Sequence, residues 1–99
     1  DDRGRLTVAQ KAASATLTNV TASITSVTVL AANASRIGAT IFNDSTSICY
    51  LKFGATATTT SYTVQLATLT YYEVPAGYSG IIDGIWVAAV GAARVTEIS

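Results

Sequence analysis

Histidine is absent from this chain of 99 residues, and charged residues make up only 12% of it. General acid–base catalysis relies on histidine or on carboxylates that perturb one another, and metal sites need clustered His, Cys, Asp or Glu. Glu73 and Asp83 are the carboxylates that a cleft could pair as in a glycosidase, but two acids in a β-protein are usually just solvated. The sequence therefore predicts a non-enzymatic protein, with no catalytic residue, no metal and no cofactor.

Cysteine occurs once, so no disulfide bond can form within the chain. Cys49 lies in the apolar run ICYL at 48–51, and free cysteine usually acts as a small buried hydrophobe, so we expect an inert thiol. A lone cysteine fits a reducing compartment, or a virion assembled in one. The formal net charge is zero, which leaves no surplus of basic residues for phosphate recognition, so nucleic acid is not an expected partner.

Long apolar runs are also missing. None approaches the roughly 20 residues of a membrane-spanning helix, and the charged start DDRGR lacks the order of a signal peptide, so no membrane association is expected. With 49% hydrophobic residues, a chain of this length can form one hydrophobic core that is stable without disulfides or metals.

Five of the twelve charged residues lie within residues 1–11, ahead of the small residues at 12–15. We therefore divide the chain into an N-terminal arm, residues 1–16, and a β-domain, residues 17–99. A first edge strand around residues 6–8 is the alternative interpretation of the arm. Chain ends of this kind can bind a neighbouring subunit by adding a strand to the edge of its sheet.

Alternation of apolar and polar side chains, typical of half-buried strands, begins at Val20. It changes phase near residues 25–26, which predicts a bulge or a break into two strands. Residues 43–47 favour a loop between two predicted strands, 37–42 and 48–53, which are expected to pair as a hairpin. Further strands are predicted at 26–30, 61–66, 69–74 and 94–98, with a proline–glycine turn at 75–77. Between them, the turn signals at 79–80 and 83–84 bracket the short apolar segment 81–82, and a second apolar segment follows at 85–87.

Seven or eight short strands separated by frequent turns predict an all-β fold, an antiparallel β-sandwich that is Ig-like or jelly-roll-like, or a small barrel. No segment of adequate length has apolar residues at helical spacing. The charged fraction is about half of that in an average soluble domain. Because charged residues are depleted at interface cores, we expect much of the surface to be covered by other subunits, including further copies of this chain.

Four aromatic residues, Tyr71, Tyr72, Tyr78 and Trp86, flank one turn-rich segment. They could form a sugar-stacking platform, with Asp83 accepting hydrogen bonds from sugar hydroxyls. The favoured interpretation is that they fill the core or a subunit interface, with Trp86 as the central core ring.

The run from Asn33 to the end of the chain resembles a small β-domain that recurs among structural proteins of tailed bacteriophages. The resemblance rests on the order of seven short motifs: NASR at 33–36, IFNDS at 41–45, LKFG at 51–54, TSYTV at 60–64, YYEVP at 71–75, DGIW at 83–86 and GAARVTE at 91–97. It implies a virion component, either a head decoration (cement) protein or a domain of a capsid or fibre, attached by a variable N-terminal segment. The family has no catalytic residues to transfer.

We therefore expect a non-enzymatic phage protein, assembled in the bacterial cytoplasm, that binds the major capsid protein or other virion proteins and stabilises the shell. The candidate anchoring residues are those of the arm: Arg3, Arg5, Leu6, Val8 and Lys11. The alternative is a module of a head or tail fibre that recognises a glycan of the host surface. Its candidate residues are Tyr71, Tyr78, Asp83 and Trp86. An Ig-like spacer in a larger fibre is a third interpretation.

Overall fold

The computed structural model describes residues 14–99, which form eight β-strands and no helix. The strands are β1 Ala15–Thr21, β2 Val27–Leu30, β3 Gly38–Asp44, β4 Cys49–Phe53, β5 Val64–Leu66, β6 Tyr71–Val74, β7 Ile82–Trp86 and β8 Ala92–Ile98. They build two antiparallel sheets of four strands each, so the predicted all-β sandwich is confirmed.

The strand order is β1-β8-β3-β6 in the first sheet and β2-β7-β4-β5 in the second sheet. Strand β1 pairs with β8, β2 with β7, β3 with β6 and β4 with β5, as in one long hairpin that has been rolled up. That nested order is the order of a jelly roll, which builds its two sheets from Greek keys. An Ig-like sandwich would instead pair the first two strands within one sheet, whereas β1 and β2 lie in different sheets here.

The predicted hairpin between residues 37–42 and 48–53 is wrong. Strand β3 pairs with β6 and β8, while β4 pairs with β5 and β7, so the connection at 45–48 crosses from one sheet to the other. Ile41 and Leu51 are both fully buried and belong to one core, which they reach from opposite sheets. Both segments therefore form strands, as predicted, but each pairs with other strands than expected.

The phase change near residues 25–26 was predicted to mark either a bulge or a break into two strands. The structure shows the break. Strand β1 ends at Thr21, earlier than the alternation suggested, and β2 begins at Val27. In the connection, Ala22 is buried and still donates its N–H to Gly91 O, at 3.0 Å, while Ile24 is exposed.

The core lies between the two sheets, with Trp86, Ile41, Leu51, Ile82 and Cys49 as its largest fully buried apolar side chains. These residues come from β3, β4 and β7, three of the four central strands. Facing sheets of a sandwich interdigitate their inner side chains in this way. Cys49 is a free, buried thiol within this cluster, as predicted from its apolar neighbours.

Four connections meet at one end of the sandwich: residues 22–26, 45–48, 67–70 and 87–91. We call this region the loop end. Hydrogen bonds join the connections directly: Trp86 N–H donates to Ser23 O at 2.8 Å, and Val87 N–H donates to Ile48 O at 3.2 Å. The remaining connections lie at the opposite end, where Ser14 and Ser99 exchange backbone hydrogen bonds of 3.0 and 3.1 Å. Residues 1–13 therefore join the domain at the end opposite the loop end.

Candidate functional site

The loop end carries no charged residue. Its four connections read ASITS, STSI, ATLT and VAAVG. Five of the nine exposed large hydrophobic residues in the described part of the chain lie here: Ile24, Ile48, Leu69, Val87 and Val90. Leu69 is the most exposed of them, at 64%. Since exposed apolar side chains that cluster usually mark an interaction site, the loop end is the candidate functional site.

Two of the four connections enclose an open apolar depression of about 480 Å³. Its walls are formed by residues 46–48 on one side and by Val87, Ala88 and Val90 on the other. No side chain in these walls can gain or lose a proton near neutral pH. The depression is therefore suited to binding by shape and apolar contact. Such a surface suits a partner with a complementary apolar group.

Asn43, at the end of β3, holds the loop end in place from below. Its side chain is fully buried, and Nδ2 donates to Ser47 O at 2.8 Å and to Leu66 O at 2.9 Å. Its Oδ1 accepts from Ser45 Oγ at 2.7 Å and from Trp86 Nε1 at 3.2 Å. One amide therefore fixes residues from three of the four connections or their adjoining strands.

The backbone around Asn43 completes this support. Asn43 N–H donates to Thr70 O at 2.8 Å, and Leu69 N–H donates to Asn43 O at 2.9 Å. Ser47 Oγ accepts from Ala88 N–H at 2.9 Å. Because these bonds are internal, the exposed apolar side chains stand on a frame that is ordered before any partner arrives. Preorganisation of this kind lowers the entropic cost of binding.

Arg36 plays the corresponding role at the opposite end. Its side chain is only 1% exposed, and Nε forms an ion pair with Glu97 Oε2 at 2.8 Å. Its Nη1 donates to Tyr78 O at 2.9 Å and to Gly80 O at 3.1 Å, and Nη2 donates to Ala31 O. A planar guanidinium with several donors can tie three chain segments together at once. Arg36 therefore holds the fold and is not free to bind a ligand.

The four predicted glycan-platform residues do not share one open surface. Trp86 is 1% exposed and points into the core, while Asp83, three residues earlier on β7, faces the other side of the second sheet and is 7% exposed. Tyr78 is half-buried, stacks on Phe53 with ring centroids 4.5 Å apart, and donates its hydroxyl to Ile81 O. Only Tyr71 is well exposed. A buried indole cannot stack on a sugar, so the predicted platform is not formed.

Asp83 is a buried carboxylate that accepts few hydrogen bonds to offset the cost of its burial. Its Oδ2 accepts from Ser26 Oγ at 3.4 Å, and Ser26 Oγ in turn accepts from Ala57 N–H at 3.0 Å. Oδ1 has no hydrogen-bond partner within residues 14–99. Glu73 is exposed on β6 of the first sheet, so the two carboxylates of the possible glycosidase pair lie in different sheets. The described residues include no group of three or more His, Cys, Asp or Glu placed to hold a metal ion.

The predicted anchoring residues Arg3, Arg5, Leu6, Val8 and Lys11 lie outside the described residues, and their role stays a prediction. Strand β1 begins at Ala15, so the last two residues of the predicted arm, residues 15 and 16, pair with β8. Across residues 14–99, no helix is long and apolar enough to cross a membrane.

No protein-family model, curated protein or solved structure matches this chain. The strand order and the loop end are therefore the observations on which a functional proposal has to rest. Sequence reasoning missed the loop end. One signal was present, since turns usually carry Asp, Asn, Gly or Pro and these four connections have only one such residue, Gly91. The strand order was needed to bring the four connections together.

Proposed function

We propose that this protein is a non-enzymatic structural component of a tailed-bacteriophage particle. It is a jelly-roll module that binds the major capsid protein or another virion protein, as a head decoration (cement) protein or as part of a head fibre, and thereby stabilises the particle. The observation that carries the proposal is the loop end, an uncharged apolar surface on a frame fixed by Asn43. Jelly rolls are a recurrent architecture of viral capsid proteins, which supports the assignment at the level of the fold.

Four of the seven motifs of the resemblance meet inside the fold. Asn43 of the IFNDS motif accepts from Trp86 of the DGIW motif, and Arg36 of the NASR motif pairs with Glu97 of the GAARVTE motif. These contacts bear on the fold, while the partner has to be inferred from the surface.

The placement of the arm and the loop end suits a bridging protein. Residues 1–13 join the domain at one end and the loop end lies at the other, separated by the length of β1, about 20 Å. A protein that contacts two neighbours in this way stabilises an assembly by the free energy of both contacts. An interface of standard size buries about 800 Å² on each partner, which is a large share of so small a domain's surface.

Binding to phage shells assembled without this protein tests the proposal. Val87→Lys and Ala88→Lys each place an ammonium group on the loop end, and burial of an unpaired charge is costly, so each should weaken binding at least about tenfold. Ala76→Lys is the matched control, because Ala76 is exposed in the turn at the opposite end and should bind as the wild type does. Binding that all three variants retain in full would contradict a role for the loop end.

A separate deletion tests the arm. The cut belongs after residue 13 rather than after residue 16, because Ser14, Ala15 and Thr16 pair with the C-terminal strand. Loss of shell binding by this truncated protein would support the arm as the second contact. Undiminished occupancy would exclude it as an anchor.

No observation favours the glycan-binding alternative, because Tyr71 alone of its four residues is well exposed. A glycan array probed with the intact protein tests it directly. If the protein binds a glycan and the Tyr71→Ala variant does not, the glycan-binding alternative is supported. If no glycan on the array binds, the alternative is excluded.

A further inference from the structure

Strand β1 is the longest of the four sheet edges. It has seven residues, whereas β6 has four and ends just before Pro75, β2 has four with a register shift, and β5 has three. Short or irregular edges cannot pair far with another chain, and natural proteins use them to prevent edge-to-edge association. Strand β1 is neither short nor irregular, so its edge lacks both of these protections.

The backbone groups that β1 leaves free can be assigned from its pairing. Ser14 and Ser99 exchange both of their backbone hydrogen bonds, and Ala22 N–H donates to Gly91 O. In an antiparallel pair, residues alternate between facing the partner strand and facing away from it. The even-numbered residues of β1 therefore bond to β8, and the N–H and C=O groups of Ala15, Leu17, Asn19 and Thr21 point outward from the sheet. No residue within 14–99 pairs with them.

The side chains of β1 do nothing to prevent pairing. The strand, ATLTNVT, contains no charge, no proline and no glycine, and its register with β8 is regular over all seven residues. Edge strands that remain unpaired usually carry lysine, proline or a bulge. Leu17 is 75% exposed, the largest exposure among the large hydrophobic residues of the described range 14–99. The sequence of this edge thus suits a strand that is covered in the working protein.

We propose that the free edge of β1 pairs antiparallel with the same edge of a second copy of this chain. A two-fold axis near Thr18 lets residue 15 face residue 21 and residue 17 face residue 19 of the second copy. All of these residues point outward, so about eight backbone hydrogen bonds form between the copies. The two four-stranded sheets become one continuous sheet. Because the interface is isologous, it closes after two copies.

The second copy is favoured over other strands by self-complementarity. The outward-facing residues of β1 match those of an identical antiparallel strand, and no like charges meet anywhere along it. Residues 1–13 of the same chain are the competing occupant, since they directly precede β1. The proposed pairing does not depend on what the loop end binds, because that surface lies at the end of the sandwich and the β1 edge runs along its side.

Sedimentation equilibrium of the full chain gives the first test, and a dimer is expected. Leu17→Pro is the informative variant. Its lost N–H points away from β8, so the bonds within the domain remain, and proline is tolerated on edge strands in that orientation. In a symmetric dimer it removes two donors at once, which should weaken dimerisation roughly thirty-fold. Leu17→Thr is the control, because it keeps the backbone N–H and introduces a β-branched side chain that suits a strand, so this variant should remain a dimer.

Amide hydrogen exchange supplies an independent readout. The N–H groups of Leu17 and Asn19 should be protected at concentrations where the dimer forms, and should exchange freely on dilution while those of Thr16 and Thr18 stay protected. A monomeric wild-type chain would overturn the proposal, and so would a chain that dimerises only after residues 1–13 are deleted, since the arm would then occupy the edge. A dimer that survives Leu17→Pro but is lost in Val87→Lys would assign self-association to the loop end instead and also overturn it.

Discussion

Asn43→Ala is the substitution that most directly tests how the fold supports the loop end. The Asn43 side chain is fully buried and forms several hydrogen bonds. In the alanine variant, Ser47 O and Leu66 O lose the amide that donates to them, and Trp86 Nε1 loses its acceptor. The indole N–H has no other acceptor among the described residues. Ser45 Oγ lies 2.8 Å from Ser47 O and, once Asn43 Oδ1 is gone, can direct its single hydrogen to that carbonyl, which therefore keeps one partner.

The size of the effect follows from these separate losses. A buried donor left without an acceptor costs about 1–3 kcal/mol, and each hydrogen bond lost to a carbonyl that keeps other partners costs about 0.5–1.5 kcal/mol. One such donor and two such carbonyls give a loss of about 4 kcal/mol in the free energy of unfolding. That is a large part of the roughly 5–15 kcal/mol that stabilises a typical domain.

Urea denaturation followed by tryptophan fluorescence measures this change, since Trp86 is the only tryptophan. Asn33→Ala is the matched control. Asn33 Oδ1 accepts only from Ser35 N–H, at 3.0 Å in an exposed turn, so its loss should cost less than about 1 kcal/mol. If Asn43→Ala were no more destabilising than Asn33→Ala, the buried amide would not be the support of the loop end.

Two further predictions concern the opposite end and the core. Arg36→Met should cost about 3–5 kcal/mol because it leaves Glu97 without its partner, whereas Arg94→Met, which removes an exposed ion pair with Asp44, should change stability by less than about 1 kcal/mol in the same denaturation assay. Burial raises the pKa of the Cys49 thiol from 9.0 to about 12, so the unfolded chain ionises first. The contribution of Cys49 to stability is therefore complete below pH 9 and declines by about 1.4 kcal/mol per pH unit from pH 9 towards pH 12. Cys49→Ala should show a shallower decline over that range, and equal slopes would contradict the assignment.

The positions of most strands could be predicted from the sequence because the alternation of side chains depends on neighbours along the chain. The segments that contain Ile41 and Leu51 were both correctly predicted as strands. The pairing of their strands was not predictable in the same way, since alternation fixes which face of a strand is buried but not which strand lies beside it. A polar link such as 43–47 fits a tight hairpin and a crossover between sheets equally well. Here the buried amide of Asn43 favours the crossover, because it bonds both to the link and to β7 and the end of β5.

The candidate site was less predictable than the fold. The aromatic residues near the turn at 75–77 drew attention because aromatic side chains serve both cores and ligand sites, and Trp86 belongs to the core. The loop end consists of small and aliphatic residues, each of them unremarkable at its own place in the sequence. The apolar surface of the loop end forms only because the jelly-roll strand order brings four uncharged connections together at one end.

Most of the few charges of the described domain are paired with one another or buried. Arg36 and Glu97 pair with each other, Arg94 pairs with Asp44, and Asp83 is buried. Lys52 and Glu73 are the remaining charged residues within 14–99, and Lys52 Nζ donates to Ser61 Oγ at 2.9 Å. The described domain therefore offers few unpaired charges for long-range electrostatic attraction, and under the proposed function we expect adhesion to rely on apolar burial and backbone pairing. Residues 1–11 hold five further charges.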